Sequence, residues 1–305
     1  MKLFKKKSKE CDNYTDVIYK EASALASQGE KEKAIEKFSE LAKRNPANGV
    51  AWYNMGRLYQ AMSNNDKAIS AYQRSLWVYK KNFDALYNLG ICYYNKGDHH
   101  DAHNQMGRAK MSLKAAIENF RKALEIQPDN TDVWFKLGNT YLRNRDYKKA
   151  IETYNHIIRL EPTFMFASVR YNLGSAHHML ARKKRRTTDL GEAIVHYKEA
   201  LDKDPNNTDL LHDLGQAVGQ NGDMKQARIY LERSIELDKK NITSWCDLGL
   251  VCSQLGDYDK AVTCWKTVLE IEPSDKTAQQ SLEWLKSLIY EKTKNSTHNQ
   301  CNKRV

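Results

Sequence analysis

Proline and glycine are scarce in this chain, 5 and 14 among 305 residues, and they recur at near-regular intervals. Length alone would suggest two ordinary domains; evenly spaced breakers argue for a repeated unit instead. Apolar runs are short. None approaches the roughly 18–20 residues that cross a bilayer, so no membrane insertion is expected. The opening Met1-Lys2-Leu3-Phe4-Lys5-Lys6-Lys7 leads into polar sequence, and no signal peptide is expected. The 6 cysteines, at 11, 92, 246, 252, 264 and 301, form no Cys-x-x-Cys pair and no zinc-ligand spacing. They read as small hydrophobes in a reducing, cytoplasmic setting.

Chemistry-bearing motifs are missing as well. No phosphate-binding Gly-x-x-x-x-Gly-Lys-Ser/Thr, Gly-x-Ser-x-Gly or His-Glu-x-x-His occurs. Asp98-His99-His100-Asp101-Ala102-His103 is the one tempting cluster. On a helix, His99 and His103 would stand one turn apart, but no third metal ligand is identifiable. Without a convergent pocket or a base with an orienting partner, no enzyme, catalytic residue, metal site or cofactor is expected.

The formal net charge of +11 looks like a nucleic-acid signal until it is located. Residues 1–14 contribute +3, residues 292–305 contribute +4, and Arg182-Lys183-Lys184-Arg185-Arg186 contributes +5, which leaves −1 for everything else. Basicity therefore sits in two tails and one loop. Nucleic-acid binders concentrate charge on a folded face. Binding of nucleic acid or an anionic partner through the tails and loop 182–186 is thus the second reading.

What the chain does contain is a 34-residue period. Small residues Ala34, Ala68, Ala116, Ala150, Ala193, Ala227 and Ala261 each open a second helix. Twelve residues earlier, in uninterrupted repeats, stand Ala22, Gly56, Gly138, Gly215 and Gly249, with Gly90 and Gly174 displaced by insertions. Small residues at both places let paired helices approach closely. Gly29, Gly97, Gly191, Gly222 and Gly256 read as turn residues. Large residues fill complementary places: Trp52, Trp134, Trp245, Leu86 and Leu211 four before the crossing, and Tyr59, Tyr93 and Tyr141 three after it. Phe38, Tyr72, Phe120, Tyr154, Tyr197, Leu231 and Trp265 fall four after the alanine. These positions read as core. All five prolines lie twelve after the alanine, where they stop the second helix.

This pattern resembles the tetratricopeptide repeat family, with Trp134-Phe135-Lys136-Leu137-Gly138, Tyr141, Tyr147, Ala150, Tyr154 and Pro162 matching it almost completely. The resemblance implies an all-α, right-handed superhelical solenoid of about seven helix-turn-helix repeats over residues 15–291. Expected units are 15–48, 49–82, 83–130, 131–164, 167–207, 208–241 and 242–275, with a capping helix at 276–291. Basic tails at 1–14 and 292–305 flank them. The third unit is 14 residues too long, around 102–115, where Arg108, Lys110 and Lys114 fall. The fifth is seven too long, around 182–188, and Met165-Phe166 precede it as a spacer. Both surpluses are expected on one edge, between first and second helices. Arg170 stands where a large residue is due, so Val169 or Phe166 must fill the packing.

The family commonly receives an extended peptide or a helix on a concave face lined by the first helices. Carried onto this chain, that face holds Lys20, Asn54, Asn88, Lys136, Asn172, Asp213 and Asp247, preceded by Tyr19, Tyr53, Tyr87, Phe135, Tyr171, His212 and Cys246, with Arg57, Asn139 and Arg143 nearby. Asn donates and accepts at once, which suits a peptide backbone, and rings supply contact area at small entropic cost. Tyr-Asn before Leu-Gly is also ordinary repeat consensus, so the face is equally readable as scaffold. The carboxylate clamp for Hsp70 or Hsp90 tails is not expected. Asn88 and Lys136 fit it, but Tyr53 and Arg57 replace a Lys and an Asn, and Asp132 would repel a bound carboxylate. The expected function is a non-catalytic protein-interaction scaffold. Its groove turns from cationic and aromatic to acidic along the chain.

Overall fold

The computed structural model describes the backbone of residues 2–184 and 187–301 and the side chains of residues 14–184 and 187–290. Among the described residues there are fifteen helices and no strand. Fourteen form consecutive pairs. The first four pairs are α1 (Lys2–Ser27) with α2 (Lys31–Arg44), α3 (Gly49–Ala61) with α4 (Asn65–Val78), α5 (Phe83–Ala102) with α6 (Met106–Leu124), and α7 (Thr131–Arg143) with α8 (Tyr147–Leu160). The remaining pairs are α9 (Phe166–Lys184) with α10 (Thr187–Leu201), α11 (Thr208–Gln220) with α12 (Met224–Leu237), and α13 (Ile242–Leu255) with α14 (Tyr258–Ile271). Helix α15 (Lys276–Cys301) packs on α14. The architecture is an all-α solenoid of helix-turn-helix repeats. It divides into two compact units, Met1–Pro162 and Thr163–Val305. Among the described residues no helix is long and apolar enough to cross a membrane.

Local chemistry sets where the first helices begin. Asn48, Asn82, Asn130, Asn207 and Asn241 each accept the backbone N–H three residues on, at 3.0–3.1 Å. Each such cap contributes about 1 kcal/mol. Trp52, Trp134 and Trp245 then tie the first helix to the preceding turn, donating Nε1–H to carbonyls six residues back at 2.7–3.0 Å. Helix α15 repeats this start, with Asp275 as cap and Gln279 donating to the Pro273 carbonyl. Its Ala278, Leu282 and Leu285 are buried in the first-helix register. Glu283 occupies the place held by the crossing glycine elsewhere.

Between paired helices, a Cβ on Gly56, Gly90, Gly138, Gly174 or Gly249 would stand only 2.6–2.7 Å from the ring of Tyr72, Phe120, Tyr154, Tyr197 or Trp265. The crossing glycine thus makes room for the ring four residues after the anchor alanine rather than for the alanine alone. Those rings are buried, and burial of each contributes roughly 1.5–3 kcal/mol.

Both surpluses lengthen helices instead of forming loops. Helices α5 and α6 have 20 and 19 residues and α9 and α10 have 19 and 15, against 13 or 14 in α7 and α8. Gly97, expected in a turn, lies in α5 seven residues after Gly90, two helical turns on, and closes against Leu113 and Ala109 of α6. Gly191 likewise lies inside α10. Residues 182–184 are the last turn of α9, where basic side chains meet the negative end of the helix dipole. Arg185 and Arg186 lie outside the described residues.

Candidate interaction surface on the first helices

Within each unit, neighbouring first helices come together: α3 with α5 and α5 with α7 in one, α9 with α11 and α11 with α13 in the other. Their shared layer carries the expected face. In unit Met1–Pro162, Asn88 of α5 reaches toward the Tyr53 hydroxyl of α3 and favours its ionised form. Burial raises the pKa of Tyr53 and Tyr87, with Asp84 and Asp132 adding to it. Tyr53 packs on Tyr72, Tyr87 on Phe120 and the buried Phe135 on Tyr154, with centroids 5.9–6.4 Å apart. Asn54 donates to Val50 of its own helix at 3.0 Å, and Asn139 accepts from the Tyr154 hydroxyl at 2.6 Å. Arg57 is exposed, 6.0 Å from the Tyr53 ring centroid. Among the described residues neither Arg57 nor Lys136 pairs with an acid. Arg143 is occupied, ion-paired to Asp98 with Asp101 3.9 Å away.

Unit Thr163–Val305 treats the same positions differently. The Tyr171 hydroxyl donates to Asp213 at 2.8 Å. His212 lies between two carboxylates, Nδ1 3.3 Å from Asp213 and Nε2 2.9 Å from Asp247, and Gln216 adds a bond to Asp247 at 3.1 Å. Burial opposes charge on His212, but the two carboxylates outweigh it and hold its pKa at about 9. The neighbouring His177 and His178 go the other way, lowered chiefly by burial. Arg170, at the place of a tryptophan, lies over the Phe166 ring at 5.2 Å and pairs with Glu199 at 3.0 Å. Phe166 therefore supplies the ring that the sequence lacks there.

Repeat-by-repeat matches account for this geometry. Tetratricopeptide repeat models match residues 19–59, 53–109, 131–164, 186–245 and 242–275, and a TPR repeat model matches residues 101–144. The chain belongs to the tetratricopeptide repeat family. Members of this family are scaffolds for contacts between proteins. Bovine BBS4, a BBSome complex member, is 29% identical over 148 residues, covering 48% of this chain and 26% of BBS4. The chain spans between 18% and 32% of the length of such curated relatives. Among solved structures, the C-terminal part of a TPR repeat-containing protein from Cytophaga hutchinsonii superposes with a TM-score of 0.64 at 19% identity, over 87% of this chain and 99% of that one. YrrB, a TPR protein with an unusual peptide-binding site, gives a TM-score of 0.50 at 18% identity, over 71% of this chain and all of YrrB. Both likenesses are of fold.

At the expected acidic end of the groove, Asp213 and Asp247 are bonded to Tyr171, His212 and Gln216 and so tie neighbouring repeats together. Asn88 has the same role toward Tyr53. His103 caps α5 with Nδ1 on the His99 carbonyl at 2.7 Å, and no cluster of three potential metal ligands occurs among the described residues. Cys92, Cys252 and Cys264 are buried, and burial pushes the Cys92 thiol up to about 12. Trp52, Trp134 and Trp245, expected as core, are only half-buried.

Proposed function

We propose that this TPR chain is a non-catalytic scaffold that holds a peptide segment of a protein partner on the first-helix face of unit Met1–Pro162. The observation that carries this reading is a gap in the ladder of bonds between repeats. Tyr53 is joined to Asn88 in the next repeat, but no such bond joins Tyr19 to Asn54 or Tyr87 to Lys136. Polar atoms on Tyr87, Arg57 and Lys136 therefore remain available beside ring surface, and they suit carbonyls and hydroxyls of an extended peptide. Asp84 and Asp132 on the same face work against a bound terminal carboxylate, so an internal segment is the better ligand.

Selection of random displayed peptides against the full chain tests this. Peptides that bind should lose about tenfold or more in affinity on Tyr87→Phe with Lys136→Ser, since two polar contacts are removed and the ring is kept. The same peptides should bind Tyr171→Phe unchanged. Peptides indifferent to the first change, or dependent on the second, would remove the proposal.

A further inference from the structure

A second surface lies on the other side of α7. Trp134 and Lys136 are two residues apart on one helix, about 200° around its axis, so they serve different faces. Trp134 and Tyr141 floor a cleft of about 620 Å³ between the second helices α6 and α8. Such a volume suits one or two bound side chains. Imidazole, lysine and arginine side chains surround the rings. His156 stands 4.5 Å from Trp134, and Lys149 lies 5.6 Å over Tyr141. Arg121 of α6 and Arg159 of α8 line the same cleft, and neither has an acid partner among the described residues. Lys149 holds Asp146 at 3.1 Å, yet Arg121 still lies close enough to oppose its charge. Glu125 and Glu152 are also in the lining.

Part of the arrangement recurs, with Ser39 and Trp77 in the places of Arg121 and Arg159. In the second repeat, Trp52 and Tyr59 floor a cleft of about 420 Å³, with Arg74 4.7 Å over Trp52 and Lys67 5.5 Å over Tyr59. It does not recur at Trp245, although that ring has the same register and the same tie to the preceding turn. There Cys252 takes the place of Tyr141, Thr267 that of His156 and Glu232 that of Arg121. Lys260 and Arg228 neutralise Glu232, at 3.9 and 2.9 Å. The shared tryptophan is thus a feature of the repeat, whereas its cationic surround belongs to two sites in one unit.

We propose that the Trp134 cleft is a second peptide site, taking an acidic segment with an aromatic or large aliphatic anchor, and that the Trp52 cleft is its weaker copy. The anchor lies on the half-buried Trp134 beside the edge of the buried Tyr141, which together offer the apolar floor typical of a binding anchor. Flanking carboxylates meet Arg121 and Arg159, whose planar guanidinium groups suit them. Glu125 and Glu152 set the limit on charge. A short acidic segment passes between them, but the evenly spaced phosphates of a nucleic acid would meet both.

The test uses the full chain labelled with 5-fluorotryptophan, its resonances assigned by single Trp→Phe changes and followed by fluorine NMR. The probe is the blocked peptide Glu-Asp-Phe-Asp-Glu, with Gly-Ser-Phe-Ser-Gly and a ten-nucleotide oligothymidylate as comparisons. The acidic peptide should shift Trp134 saturably, Trp52 at higher concentration, and leave Trp245 in place. Its affinity should fall about tenfold for the neutral peptide and about tenfold for Arg121→Gln with Arg159→Gln, and weaken with salt. Both arginines are exposed, and unchanged helicity checks the fold of the variant. No saturable shift at Trp134, an equal shift at Trp245, or tighter binding of the oligonucleotide would overturn the proposal. Loss of the inner-face peptides described above would leave this result unaffected.

Discussion

Two halves built on one repeat use the same polar positions in opposite ways. In Thr163–Val305 two rungs of the first-helix ladder are bonded: Tyr171 reaches Asp213 and His212 reaches Asp247. In Met1–Pro162 it is made at Tyr53 and Asn88 and left open at Tyr19 with Asn54 and at Tyr87 with Lys136. A side chain that satisfies its neighbour stabilises the stack and is withdrawn from partners. One left open gives up that stabilisation and remains available. The core does not follow this division, because each crossing glycine meets a ring or leucine in both units.

The largest effect should therefore be blind to the comparison. Gly138→Val places a branched side chain against Tyr154, and Gly249→Val against Trp265, both rings buried with no room to turn. Each should cost about 3 kcal/mol, the upper range for overpacking a tight core. Hydrogen exchange should show the loss in α7 and α8 for the first and in α13 and α14 for the second. A cost under about 1 kcal/mol in either would mean that the two cores are not equivalent.

The next effect should separate the units. Asp247→Asn keeps an oxygen for the Nε2–H of His212 but removes the charge, which leaves the imidazolium with one carboxylate. A bond to a charged group contributes about 1.5–3 kcal/mol, reduced here because Asp247 is partly exposed, so about 1–2 kcal/mol is expected at pH 6. Because folding raises the pKa of His212 from 6.5 to about 9, its contribution is complete below pH 6.5 and fades as pH rises through 9. His177 and His178, buried and lowered, add the opposite slope: their contribution is complete above pH 6.5 and is lost on acidification. Hydrogen exchange in α11 at pH 6, 8 and 10 should show the variant converging on the parent as pH rises. Asn88→Ala, its counterpart in the open unit, should cost under about 1 kcal/mol with no dependence on pH across that range. A pH-independent loss for Asp247→Asn would contradict the ion-pair account.

These ladders also show what could be read beforehand. Residue size fixes the register, so the spacing of Ala150, Gly138 and Tyr154 was legible as paired helices, and their contact follows from it. Bonds between repeats were missed because they run across the period. Tyr53 to Asn88 and His212 to Asp247 each span 35 residues, one repeat plus one position. Tyr171 to Asp213 spans 42, the same step with the seven-residue surplus added. Spacing places both surpluses between first and second helices but does not give their conformation. Gly97, one heptad after Gly90 and facing Ala109 and Leu113, was the signal that both helices simply continue. Open ring faces such as Trp134 had no signal in the tryptophan itself, since Trp245 shares the register; what differs is the second ring, Tyr141 against Cys252, and the charges around it.

The smallest effect concerns the turns, where the halves differ again. Five residues before the anchor alanine the backbone is left-handed, and Gly222 and Gly256 take that position in Thr163–Val305 with φ of +99° and +80°. Met1–Pro162 uses glycine only at Gly29, while Ser63 and Arg145 sit there at φ of +57° and +60°. A residue with a Cβ costs roughly 1–2 kcal/mol in this conformation. Glycine removes that cost but adds freedom to the unfolded chain, which returns part of the gain. Arg145 is exposed and its side chain lies in no ion pair among the described residues, so nothing else is lost on replacement. Arg145→Gly should stabilise its hairpin by about 0.5–1 kcal/mol, measured as slower exchange in α7 and α8. Gly256→Ala, the reverse change in the other unit, should destabilise α13 and α14 by about 1 kcal/mol or more. If Arg145→Gly is neutral, the left-handed turn carries no cost at that residue, and the open ladder at Tyr87 and Lys136 is left as the feature that sets the two halves apart.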